Sequence, residues 1–225
     1  MLPWQLLDTA AIPSDDRELR LLRRGEEFSI RIAGRGELMN SRLHGSEDAL
    51  AELGCARVAA RPQPRVLIGG LGMGFTLAAA LRSLNETAEV VVAELVPAVV
   101  EWNRGDLGQH AGHPLQDPRV QVHVGDVGRL LRKEKRGFDA VLLDVDNGPE
   151  GLTHTDNDWL YSLAGLASAF AALRPQGVLG VWSAGPCRAF TERLRQTGFD
   201  IEEVVVRAHR GKGARHTIWL AARVD

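Results

Sequence analysis

Cysteine is scarce in this chain of 225 residues, which has only two, far apart in the sequence. Cys55 and Cys187 stand in no CxxC or Cys/His spacing, which argues against a zinc site and against a disulfide framework, so both are expected to be reduced thiols. No uninterrupted apolar run approaches the roughly 20 residues that a membrane-spanning helix needs. The first residues have no basic flank ahead of an apolar segment, as a signal peptide would have. We therefore expect a cytoplasmic protein.

An excess of positive charge is also absent. Lys and Arg number 27 against 29 Asp and Glu, which gives a formal net charge of −2 and predicts no generic attraction to nucleic acid or to an anionic membrane. The one basic segment, Arg207–Arg215, contains glycines and no interleaved aromatic residues that could stack on bases. We interpret it as a hairpin loop and do not expect nucleic acid as a partner.

The most informative stretch is Arg65–Thr76. A short apolar run, Val66–Ile68, is followed by four glycines and then by a helical pattern over Phe75–Leu84. Glycines in such a turn allow a tight bend and a close approach of a ligand to the backbone, and the helix start offers free N–H groups. The pattern predicts a strand, a turn and a helix that bind a nucleotide through Gly69, Gly70, Gly72 and Gly74. A turn in which the glycines serve packing alone is the alternative.

Two acids agree with a nucleotide site. Glu94 ends the next apolar run, Glu89–Glu94, about twenty residues after the glycines, where an acid can accept both ribose hydroxyls of an adenosine nucleotide. The alternative for Glu94 is a surface position beside a structural turn. Asp126 follows the alternating strand pattern Val120–Val124, and we expect it to bind the adenine amino group, to cap the next helix, or to do both.

Strand patterns alternate with helix patterns from residue 65 onward, which predicts an α/β fold with a Rossmann-like, doubly wound, mostly parallel sheet that ends in an antiparallel hairpin. The expected strands are 66–68, 89–94, 120–124, 138–143, 177–182, 201–206 and 216–222, and a long helix is expected over 159–173. Before them, three short strands form a β-ribbon, and a helix runs from a Ser46 cap to about Ala60. We divide the chain into an N-terminal appendage, 1–60, and a nucleotide-binding transferase domain, 61–225.

An acid-rich segment follows the fourth strand of that domain. Asp144–Asp158 carries five carboxylates and no Lys or Arg, a composition that would attract a cationic acceptor. Asp146 and Glu150 are therefore candidate substrate-binding residues. The alternative is a solvated, helix-capping loop in which only Asp144 faces the site. His154 is either a general base or a surface residue.

These motifs also carry a family resemblance, in Val-Leu-Ile-Gly-Gly at 66–70, Glu-Leu-Val-Pro at 94–97, Asp-Pro-Arg-Val at 117–120, Gly-Asp at 125–126 and the stretch 138–152. From about Pro64 to Trp182 the chain resembles the spermidine synthases, a branch of the class I S-adenosylmethionine-dependent methyltransferase superfamily. The resemblance implies the class I methyltransferase fold, a donor of the S-adenosylmethionine type and no metal. It also implies that Asp144 is the catalytic acid, which accepts a hydrogen bond from the attacking amine.

The chain departs from the family pattern in two places. Gly72 stands where spermidine synthases typically have the acid that holds the aminopropyl ammonium of decarboxylated S-adenosylmethionine. Because an Asp there would repel the carboxylate of ordinary S-adenosylmethionine, its absence favours the ordinary donor. The Tyr-His-Glu motif that helps to hold polyamine is missing, and only Glu47 can be carried over from it. The alternative for Glu47 is an exposed acid in the first turn of a helix.

Three functions remain. The first is methyl transfer from S-adenosylmethionine to a small acceptor, with an amine among the candidates. The alternative is aminopropyl transfer from decarboxylated S-adenosylmethionine, and the third is a nucleotide-binding protein without catalysis. Either enzyme would act by in-line displacement at a carbon next to the sulfonium, with a carboxylate at the acceptor nitrogen. No membrane partner is expected, and a homodimer is left open.

Overall fold

The computed structural model describes residues 2–13, 16–145, 148–149, 159–209 and 212–224. It contains two β-sheets. The first is an antiparallel sheet with the order β1-β2-β3-β4. Its strands are β1 (Gln5–Ala11), β2 (Glu18–Arg24), β3 (Glu27–Ile32) and β4 (Gly36–Asn40). The predicted β-ribbon is therefore present, with β1 as an additional strand that the sequence patterns did not predict.

The second sheet has seven strands in the order β10-β11-β9-β8-β5-β6-β7. They are β5 (Arg65–Gly69), β6 (Glu89–Glu94), β7 (Val120–Val124), β8 (Phe138–Leu143), β9 (Leu173–Ser183), β10 (Asp200–His209) and β11 (Lys212–Ala222). Strands β5 to β9 pair in parallel, whereas β11 is antiparallel to both β9 and β10. The predicted α/β, Rossmann-like fold with a final antiparallel hairpin is confirmed.

Helices cover both faces of the seven-stranded sheet. They are α1 (Gly45–Ala56), α2 (Phe75–Ser83), α3 (Pro97–Arg104), α4 (Val127–Lys133), α5 (Leu163–Ala172) and α6 (Arg188–Thr197). Two 3-10 segments, Asp106–Ala111 and Pro114–Gln116, precede β7. No helix in the described ranges is both long enough and apolar enough to cross a membrane.

Several predicted boundaries were wrong. Helix α1 has His44 as its N-cap, because the Ser46 hydroxyl donates to the neighbouring Glu47 carboxylate and does not cap the helix. The predicted helix 159–173 is interrupted at Ser162, which accepts a hydrogen bond from the N–H of Gly165 and so caps α5. The predicted loop 207–215 is mostly strand, since β10 runs to His209 and β11 begins at Lys212.

The central strands of the seven-stranded sheet, such as β5 and β8, are apolar on both sides because both sides are covered. Alternate residues such as Ile68 and Leu142 belong to a cluster with α1, α2, α3 and the N-terminal sheet. Their neighbours Leu67 and Val141 belong to a cluster with α4, α5 and α6. The first face is therefore the one that the N-terminal sheet covers.

Helix α1 packs closely on this first face. A Cβ atom added to Gly54 would lie 2.4 Å from Leu142 Cδ2, and one added to Gly180 would lie 3.1 Å from Leu50 Cδ1. The two glycines thus let α1 approach β8 and β9. The proposed boundary at residue 60 remains a prediction, while α1 contributes to the core of the larger sheet.

Candidate functional site

A cavity of about 190 Å³ lies where the N-terminal sheet meets the carboxyl ends of β5, β6 and β8. In a parallel sheet this edge is where ligands bind. The cavity is lined by four acids that the sequence singled out, Glu47, Glu94, Asp126 and Asp144. Their convergence therefore agrees with the nucleotide-site hypothesis.

Two of the four predicted loop glycines, Gly70 and Gly72, line the cavity, both with positive φ, at 90° and 52°. A Cβ atom on Gly70 would lie 2.3 Å from the backbone oxygen of Asp144, and one on Gly72 would lie 3.0 Å from Met39 Sδ. The loop therefore needs glycine in both places, for backbone conformation and for space. Gly69 and Gly74 flank the loop but are not among the described lining residues.

Glu94 ends β6 with its side chain buried, at 8% exposure. Its Oε2 accepts a hydrogen bond from the N–H of Leu71, and its Oε1 accepts one from the N–H of Val96, both at 2.9 Å. Burial raises the pKa of Glu94, and these backbone donors oppose the rise. The backbone N–H groups of Gly72 and Leu95 oppose it as well, and Glu94 lines the cavity beside them. It is not the surface acid of the alternative interpretation.

Asp126 caps α4, since its Oδ1 accepts a 2.7 Å hydrogen bond from the N–H of Gly128. Its Oδ2 lies 3.3 Å from a guanidinium nitrogen of Arg132. The predicted capping role is confirmed. Asp126 also lines the cavity. Its second expected role, binding the adenine amino group, stays a prediction.

Asp144 and Glu47 form a pair of carboxyl groups on the cavity wall. Asp144 follows β8, and its Oδ2 accepts a 2.5 Å hydrogen bond from Thr76 Oγ1. Glu47 lies in the first turn of α1 and accepts a 2.6 Å hydrogen bond from the Ser46 hydroxyl. Burial raises the pKa of Asp144 to about 6. Burial also raises the pKa of Glu47 to about 7, and the negative charge of Asp144 adds to this rise.

Glu47 is therefore not the exposed helix acid of the alternative interpretation, since it is partly buried and faces the cavity. Among the lining residues that the structure describes, none is Lys, Arg or His. Asp146, Glu150 and His154 fall outside the described residues, so their roles stay predictions.

Sequence patterns missed one wall of the cavity. Its apolar lining comes in part from the N-terminal sheet and in part from the end of β9, with the residues Ile12, Leu19, Ile30, Ile32, Leu38, Met39 and Trp182. The alternation of β2 predicts which of its residues are buried. It does not predict what they are buried against, because that depends on how the two sheets dock.

Both the sequence and the fold are similar to those of known proteins. The sequence profile of the spermine/spermidine synthase domain matches residues 50–190. A polyamine aminopropyltransferase from Mycobacterium tuberculosis is 33% identical over 124 residues, which are 54% of this chain and 23% of that protein. One from Nitrosomonas europaea is 31% identical over 125 residues, 56% of this chain and 36% of that protein. The matched part is thus about a quarter to a third of these relatives' length.

Solved structures agree with the fold. The crystal structure of spermidine synthase from Thermotoga maritima superposes with a TM-score of 0.76 at 18% identity, over 98% of this chain and 74% of that chain. A spermidine synthase in complex with the transition-state analogue AdoDATO superposes with a TM-score of 0.75 at 18% identity, over 98% and 73% of the two chains. At this identity the likeness establishes the fold alone.

Proposed function

Because this chain belongs to the spermine/spermidine synthase family, we propose that it transfers an aminopropyl group from decarboxylated S-adenosylmethionine to an amine. The observation that carries the proposal is the charge of the cavity. Four carboxyl groups line it, and no basic side chain does so among the described residues. The decarboxylated donor has a sulfonium, an ammonium and no carboxylate, so it suits an acidic cavity. Ordinary S-adenosylmethionine would bring its carboxylate into a site whose described lining has no side-chain cation to receive it.

This proposal reverses the order of the two enzymatic interpretations of the sequence. From the sequence alone, methyl transfer is the preferred function because Gly72 stands in the place of the family acid. Gly72 is a single position, whereas the electrostatic field in the cavity is the sum over all of its acids. The relatives named polyamine aminopropyltransferase support the same order. Methyl transfer is the second candidate, and Gly72 is the observation that favours it.

The residues of the cavity divide into two groups with different tasks. Glu94 holds the ribose hydroxyls, Asp126 holds the adenine amino group, and the backbone of Gly70–Gly72 lies along the donor. The donor supplies the sulfonium that leaves when its carbon is attacked. The cavity supplies alignment and a partly dry environment.

Asp144 and Glu47 act on the acceptor amine. An amine attacks only through a free lone pair, so an ammonium must first lose a proton. Because the pKa of Asp144 is raised to about 6, this carboxylate is a stronger proton acceptor than an exposed Asp while it is still largely ionised at neutral pH. Glu47, with its pKa raised to about 7, is available as the second group at the same nitrogen.

Calorimetry with the two donors, followed by turnover with each donor and a panel of amines, tests the proposal. We expect the decarboxylated donor to bind at least about tenfold more tightly, which corresponds to about 1.4 kcal/mol. We also expect methylthioadenosine to form only when an amine is present. Tighter binding of ordinary S-adenosylmethionine, with a methylated product, would establish methyl transfer instead. Binding of either donor without turnover would support the non-catalytic interpretation.

A further inference from the structure

Trp182 brings an indole ring to the cavity beside Asp144. Leu143 of β8 pairs with Val181 of β9 in parallel register, so the next residue of each strand, Asp144 and Trp182, lies at the same edge of the sheet. Both side chains line the cavity. The carboxylate and the ring are thus neighbours across two adjacent strand ends.

Glu47 approaches the same place from helix α1. Leu50 lies against Gly180, and residues two apart on a strand share a face, so Trp182 lies on the face that α1 covers. Glu47 precedes Leu50 by about one helical turn and lies on the same side of α1. We call the group Glu47, Asp144 and Trp182 the acceptor corner.

The indole presents carbon, and not its polar N–H, to the cavity. Trp182 Nε1 is buried and has no hydrogen-bond partner in the described part of the chain, so the surface that a ligand can touch is ring carbon. His216 packs against the ring, with the two ring centroids 4.8 Å apart and an angle of 31° between the planes. Burial lowers the pKa of His216, which favours the neutral form of this ring.

We propose that the acceptor is a primary amine on a compact aromatic body, with its nitrogen at Glu47 and Asp144 and its body on the Trp182 ring. The proposal rests on the proposed function only in that the cavity takes an amine. A flat apolar body buries carbon surface against the indole, and a pair of aromatic rings is stabilised by more than the buried area alone accounts for. Met39 of β4 lines the same cavity and adds apolar surface. A short alkyl amine fills the carboxylate end of the corner but leaves the ring uncovered.

Indole N–H signals in nuclear magnetic resonance can test this proposal without any turnover. The chain has five tryptophans, so a protein labelled with ¹⁵N in tryptophan gives at most five indole signals, and Trp182→Phe identifies the one that belongs to Trp182. Phenethylamine, butylamine and putrescine are titrated separately in the presence of methylthioadenosine. We expect the Trp182 signal to shift with phenethylamine at about a tenfold lower concentration than with the other two amines.

Variants separate the ring from the rest of the protein. Because both Trp182 variants lack the Trp182 signal, their amine affinities are measured by calorimetry. Trp182→Leu should weaken phenethylamine binding about tenfold with little change for butylamine, whereas Trp182→Phe should retain most of the affinity. Trp4→Leu is the matched control, because Trp4 lies against Arg24 and Arg31 on the N-terminal sheet, outside the cavity lining.

Two results would overturn the proposal. One is putrescine or butylamine binding as tightly as phenethylamine in the wild-type protein, a comparison that does not depend on any variant folding. The other is the absence of any shift of the Trp182 signal with all three amines. If phenethylamine binds as expected but neither donor is turned over, the proposed function fails while the proposal on amine recognition stands.

Discussion

Thr76 donates a 2.5 Å hydrogen bond from Oγ1 to Oδ2 of Asp144, which joins the first turn of α2 to the end of β8. Thr76 is only 2% exposed, so water does not compete for its hydroxyl. The bond favours the ionised form of Asp144 and so lowers the pKa of this carboxyl. Burial has the larger, opposite effect and raises that pKa to about 6. It also fixes one oxygen of the carboxylate, which makes Thr76 a positioning residue for Asp144.

Thr76→Val keeps the size and shape of the side chain and removes the donor. The pKa of Asp144 should rise further, by roughly one pH unit, because a hydrogen bond to a charged group contributes about 1.5–3 kcal/mol. The acidic limb of the pH–turnover profile should therefore move to higher pH, and Thr76→Ser should restore it. Thr191→Val is the control, since Thr191 is a buried helical threonine that donates to Glu203 outside the cavity. An unchanged profile in Thr76→Val would show that the bond has no part in turnover.

Asp144→Asn tests the proposed proton acceptor directly. The amide keeps the shape of the carboxylate but cannot draw a proton from the amine, so turnover should fall by roughly 10² or more while the dissociation constant of the donor changes little. Steady-state kinetics and calorimetry on the same preparation measure both quantities. Glu101→Gln, at an exposed acid on α3, is the control. Loss of donor binding with turnover otherwise preserved would make Asp144 part of the nucleotide pocket instead.

Glu94 has a role in the fold as well as in the proposed ribose site. Glu94→Gln should weaken methylthioadenosine binding by on the order of 2 kcal/mol, because a charge-assisted pair of hydrogen bonds is lost. The free energy of unfolding should also fall, by about 1 kcal/mol or more, since the N–H groups of Leu71 and Val96 lose a charged acceptor. Calorimetry and urea unfolding measure the two effects separately. A stability loss with an unchanged dissociation constant would leave Glu94 with the structural role alone.

Gly72→Asp tests whether the family acid can be restored. The backbone at Gly72 has a φ of 52°, and a Cβ atom there would lie 3.0 Å from Met39 Sδ, so any side chain should destabilise the loop, by about 1–2 kcal/mol. Gly72→Ala carries this steric cost without the charge. We expect the Asp variant to prefer the decarboxylated donor about tenfold more strongly than the Ala variant does. Equal donor preference in the two variants would mean that this position does not select the donor.

The pair Glu47 and Asp144 predicts how stability depends on pH. Both pKa values are raised by burial in the folded protein, to about 7 and about 6, so the folded state binds more protons than the unfolded chain between about pH 4 and pH 7. The free energy of unfolding should therefore fall by several kcal/mol as pH rises through this window, since each unit of pKa shift corresponds to about 1.4 kcal/mol. Glu47→Gln should flatten the dependence and be the more stable protein at pH 8. Urea unfolding across this range measures it.

Glu52→Gln is the matched control for that measurement, because Glu52 is an exposed acid on the same helix. It should keep the wild-type dependence on pH. If Glu47→Gln also kept that dependence, the pKa of Glu47 would not be raised in the folded protein in the way that the structure indicates.

The sequence predicted the strand, turn and helix over 65–83 and the acids at the carboxyl ends of β6, β7 and β8. Those features depend on neighbours along the chain: the period of the apolar residues, the glycines that a tight turn needs, and the place of an acid after a buried strand. The same local rules predicted the order of the later strands and the final hairpin. They predicted the wrong N-cap for α1, because the Ser46 hydroxyl donates to the carboxylate of Glu47 and does not cap the helix.

Which residues meet at the cavity depends on the tertiary structure. Glu47 and Asp144 lie almost one hundred residues apart, and they come together because Gly54 and Gly180 let α1 pack closely on β8 and β9. Met39 and Trp182 reach the same cavity from two different sheets. Contacts of this kind depend on how whole layers dock, and no local pattern of residues carries that information, because the apolar face of a strand is compatible with many partners.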